Sequence, residues 1–233
     1  MNFFRTRGVC LGFFILLVGI GMIGAGCLGS SSSSGSSGTN PDADTADGAI
    51  DVDDVPEPEP DPFIVALGDS LTMGMAMPGR PPYPARVASI TGRRVVNAGV
   101  SGESACAGSK RAGAAVSSGP AAVLILFGTN DVIAGHNLSK SKECIRSIIR
   151  TVSASGARPI LGTIPPMRDA VEHLNAIVNE MNDHIRALAG EEGCRLVDVN
   201  QQFGDGEGLL LPDGFHPNET GTQLISFAFA DAL

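Results

Sequence analysis

Phe63-Ile64-Val65-Ala66-Leu67-Gly68-Asp69-Ser70-Leu71-Thr72 passes from five consecutive apolar residues directly into turn chemistry. A strand with one solvated face alternates apolar and polar residues, whereas an unbroken apolar run is covered on both faces. Four further short runs follow, Val95–Ala98, Ala122–Phe127, Pro159–Thr163 and Arg195–Val199, each bounded by turn residues. Segments with helical periodicity lie between them. Val171, Leu174, Ile177, Val178, Met181, Ile185 and Leu188 recur at spacings of three and four and stop before Gly190, while Ile145, Ile148, Ile149 and Val152 share one helical face. Apolar strands alternating with amphipathic helices predict right-handed βαβ units, and so an α/β fold with a parallel five-stranded sheet covered on both sides. Ligands of such sheets bind beyond the carboxyl ends of the strands. The residues after each strand are therefore the ones to read.

The first strand runs into Gly68-Asp69-Ser70, the second into Gly99-Val100-Ser101-Gly102-Glu103, and the third into Gly128-Thr129-Asn130-Asp131. After the fifth comes Pro212-Asp213-Gly214-Phe215-His216-Pro217-Asn218. Together these loops offer a Ser, a Gly, an Asn and an Asp-x-x-His. Acyl transfer needs such a set: a nucleophile, backbone and amide donors for an oxyanion, and a base with an orienting carboxylate. An α/β-hydrolase would instead show Gly-x-Ser-x-Gly at the nucleophile, with Asp and His on separate loops. Thr72 stands where its second Gly would be, and Asp213 and His216 share one loop.

Over 63–233 the chain resembles the SGNH (GDSL-type) hydrolases, with all four family blocks in order and at strand ends. The resemblance implies a three-layer α/β/α sandwich of flavodoxin-like type. It implies Ser70 as nucleophile, His216 as general base and Asp213 as its orienting partner. The oxyanion hole would be formed by the Ser70 and Gly102 N–H groups and the Asn130 side-chain amide. Ester hydrolysis through an acyl-enzyme follows, with a small acyl ester as substrate and no cofactor or metal. Of the substrate classes known in the family, lysophospholipase or carboxylesterase action comes first. Carbohydrate O-acetylesterase, O-acyltransferase and a non-catalytic surface-binding lipoprotein are the alternatives. Asp69 and Asp131 are expected to brace loops, and His136, His173 and His184 match no block, the last two lying on a solvated helix face. Met73, Met75 and Met77 either line an acyl groove or pack under the loop; Leu209–Leu211 either touch an acyl chain or belong to the core. Trp is absent and Tyr83 is the only Tyr, which leaves no evident aromatic platform for sugars.

The formal net charge of −9 is unevenly placed. Arg5 and Arg7 stand alone in 1–27, nine acids and no base occupy 40–62, and 63–233 is nearly neutral. No basic surface is available for phosphates in a row, which excludes a nucleic-acid binder. Arg5 and Arg7 followed by apolar Gly8–Gly26 read as a signal peptide or membrane anchor over 1–27. Ile23-Gly24-Ala25-Gly26-Cys27 resembles a bacterial lipobox, with Cys27 as the lipidated residue, although Gly24 stands where an aliphatic residue is usual. Residues 28–62, rich in Ser/Gly, then Asp, then alternating Pro, cannot build a core and read as a disordered linker. The expected protein is a monomeric hydrolase domain tethered in the cell envelope, outside the cytoplasm. Of Cys106, Cys144 and Cys194, an oxidising compartment permits one bridge, and Cys106–Cys144 is the expected pair.

Overall fold

The computed structural model describes residues 62–74 and 78–233. The anchor, Cys27, the linker up to 61, and Met75 and Met77, for which the sequence raises expectations, lie outside the described residues. Five parallel strands, β1 (Ile64–Gly68), β2 (Val95–Gly99), β3 (Ala122–Leu126), β4 (Arg158–Gly162) and β5 (Arg195–Val197), form one sheet in the order β2-β1-β3-β4-β5. The chain steps from β1 to one side and then crosses to the other, so the switch point falls between β1 and β3. In the register, Gly68 pairs with both Gly99 and Leu126. The three loops that follow these strands therefore start level with one another.

Alternation along the strands sorts the core into two halves. Val65, Leu67, Val123, Ile125 and Leu161 point to the face covered by α3 (Ala105–Val116), α5 (Leu138–Ala154) and α6 (Asn175–Glu191). Ile64, Ala66, Leu124, Leu126 and Ile160 point to the face covered by α2 (Tyr83–Thr91) and α8 (Glu219–Asp231). Three short helices sit at strand ends: α1 (Ser70–Met73), α4 (Thr129–Ile133) and α7 (Val199–Phe203). This is the expected three-layer α/β/α sandwich. Strands β1 and β3 are buried along their whole length, whereas β2, at the sheet edge, is only partly covered.

Several boundaries differ from the sequence reading. Val199 opens α7 rather than ending β5, because the Asp198 side chain accepts from Gln201 N and caps a helix there. The long apolar stripe is broken: Val171 and Leu174 lie on a 3-10 turn, Asp169–Leu174, and α6 starts only at Asn175. Ile177 is exposed, so it leaves the stripe too. His173 lies on the exposed 3-10 turn rather than on the long helix, and His184 is half-buried rather than solvated. The disulfide joins Cys106 and Cys144 as expected. The partners lie within α3 and α5, which pack side by side, rather than after loops. Cys194 stays free, and burial pushes its thiol up.

Candidate active site

Ser70 opens α1 directly after β1. Asp69 turns the chain there, its Oδ1 accepting from Leu71 N at 2.9 Å. With only the Asp69 cap between the last strand residue, Gly68, and the hydroxyl, Ser70 has little freedom of position. Gly99 allows α1 to lie against the end of β2, since a Cβ there would come within 2.2 Å of Met73 N.

The Asp213–His216 loop reaches the same place from the far end of the chain. It is closed by Leu211 N–H donating to His216 O at 2.8 Å and by Arg168 N–H donating to Gly214 O at 2.8 Å. Gly214 adopts φ +83°, and a Cβ there would meet Arg168 O at 2.2 Å, so glycine is required on both counts. Asp213 Oδ1 accepts from the backbone N–H groups of Phe215 and His216 at 3.1 and 3.0 Å. Its Oδ2 lies 2.8 Å from His216 Nδ1, and His216 Nε2 lies 2.9 Å from Ser70 Oγ. A carboxylate only accepts, so Nδ1 carries the ring hydrogen and Nε2 is left to accept from the Ser70 hydroxyl. Partial burial pulls Asp213 upward, but the donors from His216 and Phe215 outweigh it and hold the carboxyl below its usual range. It stays ionised beside the imidazole.

The three expected oxyanion donors belong to the first turn of α1, to the loop after β2 and to α4 after β3, three strand ends that start level in the sheet. Ser70 N–H belongs to the first turn of α1, where no intrahelical partner exists. Gly102 adopts φ +74° in an exposed turn, and its N–H makes no hydrogen bond among the described residues. Asn130, on α4 after β3, is differently placed. Its Nδ2 donates to Asp69 Oδ2 at 3.2 Å and to Glu103 O at 3.1 Å, so both amide hydrogens are engaged, each at long range. Asp69 is 1 % exposed, and burial, with the Asp131 and Glu103 charges adding, pushes its carboxyl up to about 7.

One support has no counterpart in the sequence reading. Arg111 on α3 holds Glu103 through a bidentate pair and donates from Nη2 to Gly68 O at 3.1 Å, tying the Gly102 loop to the end of β1. Nothing local in the sequence signals this, since Gly68 and Arg111 are 43 positions apart. Asp131, fully buried, accepts from Ala105 N at 2.9 Å and Ser141 Oγ at 2.6 Å, bracing α4 against α3 and α5 as expected of a loop brace. Of the open alternatives, Leu209 and Leu210 pack on the core, and Met73, the last residue of α1, is exposed. Tyr83 is fully buried and stacked on Phe229, so it offers sugars no platform. Among the described residues, no three His, Cys, Asp or Glu side chains are grouped to hold a metal ion.

Comparison with known proteins bears on family and fold. The GDSL-like Lipase/Acylhydrolase family model matches residues 66–224. The Thioesterase 1/protease 1/lysophospholipase L1 of Escherichia coli K12 is 32% identical over 178 residues, covering 73% of this chain and 82% of that protein. A lipase/acylhydrolase from Enterococcus faecalis superposes with a TM-score of 0.66 at 21% identity, covering 73% of this chain and 94% of the other. A G-D-S-L lipolytic family member from Veillonella parvula gives 0.64 at 22%, covering 73% and 97%.

Proposed function

The chain belongs to the GDSL-like lipase/acylhydrolase family, and from that premise we propose that it hydrolyses acyl esters at Ser70 through a Ser-His-Asp triad. The carrying observation is the continuous hydrogen-bonded chain from Asp213 through His216 to Ser70. Ser70 Oγ attacks the acyl carbonyl carbon while its proton passes to His216 Nε2, and Asp213 stabilises the imidazolium. The carbonyl oxygen becomes an oxyanion facing Ser70 N–H, Gly102 N–H and the Asn130 amide. Asn130 serves by exchanging its long contact with Glu103 O for the oxyanion. Collapse expels the leaving alcohol or thiol, which takes the proton from Nε2. Water then attacks the acyl-enzyme by the same route, releasing the acid and restoring the Ser70 hydroxyl.

For substrate, a lysophospholipid or acyl thioester is the class we place first. The E. coli relative's name supports it. So does the exposure of Met73, Val100 and Ile133, apolar side chains that follow β1, β2 and β3 at the end where Ser70 lies. Arg5, Arg7, the apolar Gly8–Gly26 and Cys27 support a lipidated N-terminus that holds the enzyme on a membrane.

The test is fluorophosphonate labelling of the full chain together with an acyl-ester panel. Labelling should map to Ser70, and Ser70→Ala should lose both labelling and hydrolysis, the latter by several orders of magnitude, on the order of 10⁴ or more. Parental hydrolysis by Ser70→Ala would overturn the proposal.

A further inference from the structure

A recess beside the Ser70–His216 pair is lined by Leu71, Arg80, Pro82, Pro217 and Thr222, with neither Gly102 nor Asn130 among its lining residues. The oxyanion side of Ser70 is thus elsewhere, and the recess lies on the side of His216. That imidazole delivers its proton to the departing oxygen or sulfur. On the acyl-hydrolase reading, groups lining the recess on the His216 side face the leaving group.

Among the described residues, Arg80 is, apart from His216, the one charged side chain lining this recess. It is 66% exposed and makes no side-chain hydrogen bond among the described residues. Its nearest carboxylate oxygen, Glu219 Oε2, is 3.8 Å away. The same carboxylate is neutralised from the other side, where Arg86 Nη2 donates to Glu219 Oε1 at 2.6 Å. Arg86 is only 16% exposed and donates from Nε to Pro81 O at 2.9 Å, which fixes the Pro81–Pro82 step that follows Arg80. Two guanidinium groups thus share one carboxylate, and the unspent charge and donors are those of Arg80. A guanidinium carries five N–H groups in a planar fork, so one edge can stay near Glu219 while the other faces the recess. The opposite edge matches two oxygens of one anion.

We infer that Arg80 is a specificity-determining residue that holds a phosphate carried by the leaving alcohol or thiol of the substrate. The inference rests on the acyl-hydrolase reading and adds to it where the substrate's charge sits. Two chemical sources supply such a group: the phosphodiester of a lysophospholipid, and the phosphates of a coenzyme A thioester. The neutral counterpart with the same acyl chain is a monoacylglycerol.

The experiment uses the full chain with three short-chain substrates held below aggregation: a lysophosphatidylglycerol, the matching acyl-coenzyme A and the matching monoacylglycerol. Arg80→Gln should raise KM for phosphate-bearing substrates about tenfold, with kcat within about twofold, because one charge-assisted bidentate contact is removed. Selectivity over the monoacylglycerol should fall by the same factor, and Arg80→Lys should recover part of it. A loss confined to one phosphate-bearing substrate supports the inference and names the source; a loss on both assigns the site to phosphate in general. Equal loss on all three substrates, or none on any, overturns it. A parent chain that cleaves only the monoacylglycerol also overturns it, yet leaves the Ser70 reading intact. Absence of cleavage and of fluorophosphonate labelling at Ser70 would remove that reading, and the inference with it.

Discussion

Asp69 is the residue at which position and charge conflict most sharply. It must cap α1 and orient Asn130, and both contacts favour a carboxylate. It is nevertheless buried beside the Asp131 and Glu103 carboxylates, and Arg111, which pairs with Glu103, spends its donors on that carboxylate and on Gly68 O. Burial wins, and the folded protein keeps this proton up to about 7, against 3.8 for the ordinary group. Between those values folding takes up a proton, so stability falls as pH rises, and the loss is complete above the folded value. Asp69→Asn cannot ionise and should flatten this decline. Urea midpoints of parent and variant, compared at the two ends of that window, should lie closest at the acid end and draw apart toward neutral pH, where only the parent buries a charge; parallel slopes would refute the assignment. Ser70, His216 and Asp213 were legible because each sits in a short contiguous motif, Ser70 at the end of β1 and the other two in one loop before α8. Arg80 and Arg111 were not, since their significance lies in contacts across the fold.

At the scale of elements, the site depends on how closely α1 approaches the end of β2. Gly99 is the joint. A Cβ there would meet Met73 N at 2.2 Å, Met73 Cα at 2.7 Å and Thr72 C at 2.8 Å, all backbone atoms that no side-chain rotation can clear. Gly99→Ala must therefore displace α1 and Ser70 with it. A shift on the order of 1 Å at the nucleophile costs up to about 10²-fold in rate. We expect kcat to fall by one to two orders of magnitude in protein whose circular dichroism remains folded; parental kcat would show that α1 tolerates the shift. The sequence marked Gly99 only as a residue after a strand. Similarly, the stripe from Val171 to Leu188 read as one helix because spacings of three and four suit a 3-10 turn nearly as well as an α-helix over a single turn. The difference matters for the site, because Arg168 and Val171, at the start of that turn, pack against Gly214 and help to hold the His216 loop.

For the whole molecule, charge and chemistry separate along the chain. The nine acids in 40–62 leave 63–233 nearly neutral. Among the described residues, no helix is long and apolar enough to cross a membrane. The proposed membrane attachment rests on the N-terminal sequence pattern alone. If Cys27 carries the lipid, Cys27→Ser should move the protein from the membrane fraction toward the soluble one and abolish labelling by a fatty-acid analogue. Unchanged fractionation would point to Gly8–Gly26 as an anchor in its own right. By itself the sequence determined the layered α/β architecture, the strand ends that matter and the Ser, Asn and Asp-x-x-His that stand there. It could do so because buried parallel strands and turn motifs are written in contiguous residues. Tertiary structure alone decided that Asn130 spends both amide hydrogens, that Asp69 is buried among carboxylates and that Arg80 stands beside His216 with donors to spare. Those properties come from residues far apart in the chain meeting at the switch point of the sheet, where burial and unpaired charge exist only once the fold has closed.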